Sequence, residues 1–207
     1  LKKEKLTLSQ LYYLLSNHLG PQRWWPADSV PEMLCGMILV QNTNWNSAER
    51  SLQNLRETVG FDLQRLLALP RVQLEKLIQP SGFYHAKADY LRNILTMYQQ
   101  DYPALRSLPT AQLRKKLLSI KGIGNETADV LLLYLFDRPV FVADTYARQL
   151  FFALTQIKDS YPGLKIKVER SSHFTVLEAQ EFHALIDEYS KLADDPLGLK
   201  TNYQLKF

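Results

Sequence analysis

A chain of 207 residues, with 25 Lys and Arg against 21 Asp and Glu and a formal net charge of +4, supports one large or two small cores. The modest positive excess suits a polyanionic partner without demanding one. A lone cysteine excludes an internal disulfide and any four-cysteine metal or cluster site, no run approaches ~18 uninterrupted apolar residues, and the start, LKKEKLTLSQ, has no signal-peptide core, so the expectation is a soluble intracellular protein.

Apolar spacing is helical almost throughout. Leu8, Leu11, Tyr12 and Leu15 share one face of a first helix. Pro31 suits the first turn of a second, which runs to about Val40 and carries Cys35 as a buried, inert thiol. Ala48, Leu52, Leu55 and Val59 predict a third helix, ended by Gly60. Short helices follow near 62–68 and 70–78, then a longer one over about 84–100. Leu113, Leu117 and Leu118 fall on one face of the next, with Thr110 as its cap. After a turn, Ala128, Leu131, Leu132 and Leu135 repeat at i, i+3, i+4 and i+7. Asp144 opens a further helix with Ala147, Leu150, Phe151 and Leu154 on its buried side, and 176–192 makes a last long one. Strand signals are poor: 140–143 is too short to decide and 164–168 is ambiguous. The expected fold class is all-α.

The turn Lys121-Gly122-Ile123-Gly124 carries chemistry. Two glycines let the backbone turn sharply and approach something bulky, and the helix that follows directs its unpaired N–H groups outward. That arrangement suits a phosphate, although Gly-x-Gly alone reads more readily as a tight helix–helix connection. Beyond it the apolar run 139–143 stops at Asp144, which has two readings: an N-cap, or an anion placed for chemistry. All three tryptophans lie early, in Trp24-Trp25-Pro26 and at Trp45, and they either wall a pocket or seal a domain junction. His18, His85, His173 and His183 share no metal-ligand spacing.

Both glycines, Thr127-Ala128, the apolar run and Asp144-Thr145 together resemble the helix–hairpin–helix and following aspartate of the endonuclease III superfamily of DNA glycosylases. Further matches run from residue 24 to 191: Trp24-Trp25-Pro26, Val40-Gln41-Asn42-Thr43, Pro80-Ser81-Gly82-Phe83-Tyr84, and Phe182-His183 through Ser190-Lys191. These are similar to the 3-methyladenine DNA glycosylase III branch, which lacks an iron–sulfur cluster. Trp45 stands where that branch admits phenylalanine, and Leu185 where it admits lysine.

The resemblance implies two helical domains flanking a cleft, endonuclease III-like: a central one at 22–130 ending in the hairpin, and a second from 1–21 and 131–207 without a cluster. It implies that the backbone of Lys121, Gly122, Ile123, Gly124 and Asn125 grips DNA and that Asp144 is the catalytic carboxylate. Trp24, Trp25, Pro26, Trp45 and Lys191 would line the base pocket. For Lys191, a base edge, Asp144, a phosphate or plain solvent are all open partners. Gln41 would enter the gap left by the flipped base and Phe83 or Tyr84 would wedge the duplex, or each is an ordinary loop contact. Strand-cutting relatives carry a lysine where this chain has Glu126, which cannot form an imine, so the implied activity is monofunctional.

The implied partner is double-stranded DNA with a damaged base, bound by a monomer in the bacterial cytoplasm at the nucleoid, away from membranes. No cofactor is implied, and a monovalent cation on the hairpin carbonyls is the one addition relatives allow. A purine methylated at N3 or N7 is cationic and its sugar bond is weak, so electron-rich indoles and a carboxylate suffice for it. Alternatives are a glycosylase for an oxidised, deaminated or mismatched base, and a non-catalytic DNA-structure-binding protein.

Overall fold

The computed structural model describes residues 3–207. The chain divides into two compact units, Trp25–Ala128 and, around it in sequence, the described residues up to Trp24 with Asp129–Phe207. The N-terminal piece holds β1 (Glu4–Leu6) and α1 (Leu8–Leu19). The Trp25–Ala128 unit holds α2 (Val30–Leu39), α3 (Trp45–Val59), α4 (Leu63–Ala68), α5 (Arg71–Ile78), α6 (Tyr84–Gln100), α7 (Tyr102–Arg106) and α8 (Thr110–Leu118). The unit boundary falls inside α9 (Asn125–Tyr134). After it come α10 (Thr145–Thr155), α11 (Tyr161–Ser171), α12 (Val176–Ser190), α13 (Leu199–Asn202) and β2 (Tyr203–Leu205).

The fold is all-α; its only sheet among the described residues is β1 paired parallel with β2, with Leu6 opposite Leu205. In that unit the core is built where the apolar stripes meet. Leu11 and Leu15 of α1, Leu150, Phe151 and Leu154 of α10, and Phe182, Leu185, Ile186 and Tyr189 of α12 share one cluster. Reciprocal caps fix the starts of α1 and α12: Thr7 with Gln10, and Thr175 with Glu178. Ala128, Leu131, Leu132 and Leu135 are buried as their spacing requires, and Cys35 is buried with its thiol pushed up by desolvation and then by Glu32. Among the described residues no helix is long and apolar enough to cross a membrane.

Two local expectations fail, and two segments left open by the sequence are decided. Thr110 is the first residue of α8, and Pro109 holds the cap position without a side-chain acceptor. Leu118 is exposed while Leu113 and Leu117 are buried. Four residues advance about 400° round a helix, so 113 and 117 align and 118 lies ~100° off. Residues 164–168 belong to α11, where Leu164 and Val168 are buried at i, i+4 behind the Ser160 cap and a proline in the first turn. Residues 140–143 form an irregular stretch, and β1, α7, β2 and α13 are additions the periodicity does not show.

Candidate active site and nucleic-acid interface

Asp144 stands where the irregular stretch meets α10. That stretch is held from α11: Phe141 N–H donates to Glu169 Oε1 at 2.9 Å, and Lys165 Nζ donates to Phe141 O at 3.2 Å. Lys165 also lies 3.2 Å from Asp129 Oδ1 and 2.5 Å from Glu169 Oε1, while Tyr161 Oη donates to Asp129 Oδ2 at 3.0 Å. Charge-assisted bonds of this kind give the residues leading into Asp144 a fixed path without strand pairing.

Asp144 is 8% exposed, and its Oδ1 accepts the Ala147 N–H at 2.7 Å. The cap is real and uses one oxygen. The other, Oδ2, lies 3.5 Å from His183 Nε2. His183, on α12 and 7% exposed, has its Nδ1 2.8 Å from Tyr134 Oη, and that hydroxyl also lies 3.2 Å from Gln180 O. Burial, then the charges of Asp187, Glu181 and Asp144, push the Tyr134 phenol up, so it stays protonated.

Trp24 belongs to the same unit. Glu181 accepts the N–H groups of Gln22 at 2.6 Å and Arg23 at 3.2 Å, and the indole meets the His183 ring edge-on at 5.7 Å. Lys191 Nζ lies 5.3 Å from the Trp24 ring centroid, within cation–π range. It pairs with Asp187 and, at 2.9 Å, with Glu188. Burial raises the Asp187 carboxyl above its ordinary value, with Lys191 pulling against it. One ammonium therefore faces two carboxylates. Leu185 is wholly buried in the apolar core.

Sequence reading assigns no role to Tyr134, Glu181, His183 or Asp187. His183, Asp187 and Lys191 recur at four-residue steps from α12 into its C-cap, with the apolar Ala184, Leu185 and Ile186 between the first two. That spacing is the available signal for two of them. Nothing local marks Tyr134 or Glu181.

The Trp25–Ala128 unit carries the hairpin between α8 and α9. Ile123 is buried and anchors the turn, while Lys121, Gly124 and Asn125 are exposed. Gly122 has φ +100° and its backbone lies against Tyr90, whose ring a Cβ would overlap. Gly124 differs: nothing lies within 4 Å of where its Cβ would stand. Gln41 Nε2 donates to Gly122 O at 3.1 Å and to Thr127 Oγ1 at 3.0 Å, so both its amide protons brace the hairpin. Asn93 Nδ2 donates to Lys121 O at 3.0 Å, and Arg114 to Asn125 Oδ1 at 3.0 Å. The carbonyls of Lys121 and Gly122 thus each accept a side-chain donor before any cation is considered. Glu126 is exposed in the first turn of α9. Among the described residues no group of three or more His, Cys, Asp or Glu is placed to hold a metal ion.

In this unit the rings of Trp25 and Trp45 meet edge-to-face at 6.3 Å, and Gly36 makes room for the Trp25 indole. Pro26 is exposed beside them in sequence. Phe83 is 70% exposed with φ +48°, at the start of α6, and Tyr84 is half-buried. The loop carrying Phe83 is tied to the end of α2 by Lys87. This lysine is 2% exposed; its Nζ donates to Leu39 O at 2.8 Å and Ser81 O at 2.7 Å, and burial lowers its amine to about 8.

The lowered value fixes a sign. Between about pH 8 and the unfolded value near ~10.4, the unfolded chain holds the Lys87 proton more tightly, so stability rises with pH. From pH 7 to 9.5, urea unfolding should show the parent gaining about 1–2 kcal/mol relative to a Lys87→Met variant. Parallel shifts in the two proteins would contradict this.

Comparison with known proteins agrees with the geometry. The family model described as "HhH-GPD superfamily base excision DNA repair protein" matches residues 35–173. The chain is 36% identical over 189 residues to "Putative DNA repair glycosylase MJ1434" of Methanocaldococcus jannaschii, covering 88% of this chain and 86% of that protein. The crystal structure of H. pylori 3-methyladenine DNA glycosylase (MagIII) bound to 1,N6-ethenoadenine matches with a TM-score of 0.76 and 25% identity, over 90% of this chain and 98% of that one. A non-covalent endonuclease III–DNA complex matches in fold with a TM-score of 0.69 and 20% identity, over 89% and 86%. A hairpin braced by Gln41 from a loop and by Asn93 from α6, an acid at a helix start and these matches lead to one conclusion: the chain belongs to the HhH-GPD superfamily of base excision DNA repair proteins and is a DNA glycosylase of that kind.

Proposed function

We propose that this glycosylase is monofunctional and removes alkylated purines, 3-methyladenine first, from double-stranded DNA, leaving an abasic site. The observation that carries the reading is Asp144: a buried carboxylate with one oxygen engaged as a cap and the other directed at a histidine beside an indole. As the glycosidic bond breaks, its electrons leave with the base and positive charge grows on the sugar. A carboxylate there stabilises that charge and takes the proton of the water that adds to the sugar. A methylated purine already carries a positive charge and departs neutral, so no general acid is needed.

The pocket electrostatics suit a cation, because Asp187 and Glu188 offset Lys191 next to Trp24. The H. pylori protein, which holds 1,N6-ethenoadenine in its crystal structure, supports a purine pocket in this branch. The Trp25–Ala128 unit has aromatic and apolar surface of its own in Trp25, Pro26 and Trp45, and its hairpin backbone of 121–125, exposed at Lys121, Gly124 and Asn125, supplies the phosphate grip, with Lys121 adding charge. Glu126 in place of the lyase lysine supports base removal without strand cutting.

One observation favours a neutral base instead: the Lys191 ammonium already occupies the cation–π position on Trp24. The two readings separate in one assay. The protein is incubated with duplex DNA methylated by an alkylating agent, and with duplexes carrying an oxidised, deaminated or mismatched base, and the free bases are identified. Release of 3-methyladenine ahead of the others is expected. Release of uracil or an oxidised purine alone would transfer the pocket to a neutral base, and salt-sensitive DNA binding with no base released would make the chain a binding module.

A further inference from the structure

Proton counting orders the polar chain behind Asp144. Tyr134 has one hydroxyl proton, kept there by burial, and its reach includes His183 Nδ1 at 2.8 Å and Gln180 O at 3.2 Å. Gln180 lies within α12, whose carbonyls are served by the helix ladder. The closer acceptor with no such partner is the ring nitrogen. An imidazole that accepts at Nδ1 carries its proton at Nε2. That nitrogen is the one 3.5 Å from Asp144 Oδ2. The opposite tautomer would set two lone pairs face to face in a site where both residues are more than nine-tenths buried.

We propose that His183, held in its Nε2–H tautomer by Tyr134, is a positioning residue for Asp144, fixing the second carboxylate oxygen as Ala147 N–H fixes the first. The inference deepens the glycosylase reading given above and rests on it. A neutral imidazole orients the carboxylate without cancelling its charge, whereas an imidazolium would oppose the charge the reaction needs. At 3.5 Å the contact is longer than a tight hydrogen bond, the usual condition of catalytic contacts before substrate binds. The ring has little freedom. Trp24 meets it edge-on and the Tyr134 ring lies 5.7 Å away, so one indole braces both the aromatic wall and the partner of the carboxylate. The charged groups around His183 are Asp144 and Asp187, the latter paired with Lys191, with Glu181 near Tyr134.

Two measurements test this. Nitrogen-15 spectra of the His183 ring in the free protein at neutral pH should show the Nε2–H tautomer, with mixed tautomers in Tyr134→Phe. A ring in the Nδ1–H form would overturn the proposal. This readout needs no activity. In single-turnover excision from methylated DNA, His183→Asn is expected to lose about tenfold to a hundredfold in rate with DNA affinity unchanged. His183→Gln, whose amide nitrogen reaches the place of Nε2, should recover to within about threefold of the parent. Equal losses in the two variants, or none in either, would overturn the positioning role. A parent protein that releases no base would instead sink the glycosylase reading and leave the tautomer to decide this one.

Discussion

Asp144→Asn is expected to unfold within about 1 kcal/mol of the parent and to lose roughly a hundredfold to a thousandfold in excision rate. The cap shown by the structure and the catalytic role proposed for this residue make separate demands on it. Its Oδ1 caps α10 through Ala147 N–H, and an asparagine oxygen does that equally well. What disappears is the negative charge, which the proposed mechanism needs only when positive charge develops on the sugar. Thermal melts with single-turnover base release measure both at once. A variant that melts early and is slow in proportion would make Asp144 a structural cap. A variant that is as stable and as fast as the parent would remove it from the chemistry.

The second large effect concerns the hairpin. Gly122→Ala should cost about 2–5 kcal/mol, or distort the turn to escape that cost, and lower DNA affinity tenfold or more. Two causes add: a side chain at φ +100° is strained, and its Cβ would enter the space of the Tyr90 ring. The carbonyl of Gly122 is also the one Gln41 holds, so a shifted turn loses that brace. Gly124→Ala gives the contrast. Its Cβ would project into open space, so stability should change by less than about 1 kcal/mol while DNA affinity still falls several-fold, because the Cβ obstructs close approach of a phosphate. Denaturant unfolding and salt-dependent DNA binding of the two variants check this. Equal stability losses would show that the two glycines share one role.

Much of this was legible in the residues, for local reasons. Helices with clean i, i+3, i+4 stripes, such as that of Leu150, Phe151 and Leu154, need only their own sequence to be seen. The glycine turn and the Asp144 cap are equally local. What escaped is non-local or ambiguous by composition. Leu164, Ile166 and Val168 alternate like a strand, and only the Ser160 cap and the early proline decide for α11. β1 and β2 are three residues each and nearly 200 residues apart, so neither has enough pattern to be noticed. His183 lies 39 positions from Asp144 and 49 from Tyr134, and a chain of three side chains over such separations leaves no trace in periodicity. Gln41 was legible as a polar residue between helices, but its hold on Gly122 and Thr127 required the fold.

The most direct test of the central claim is product analysis on a duplex carrying a single methylated purine. The account predicts free base and an abasic strand that stays intact until treated with alkali, with nothing trapped by borohydride. A spontaneously cut strand with a borohydride-trapped protein adduct, or an untouched base in a tightly bound duplex, would contradict it.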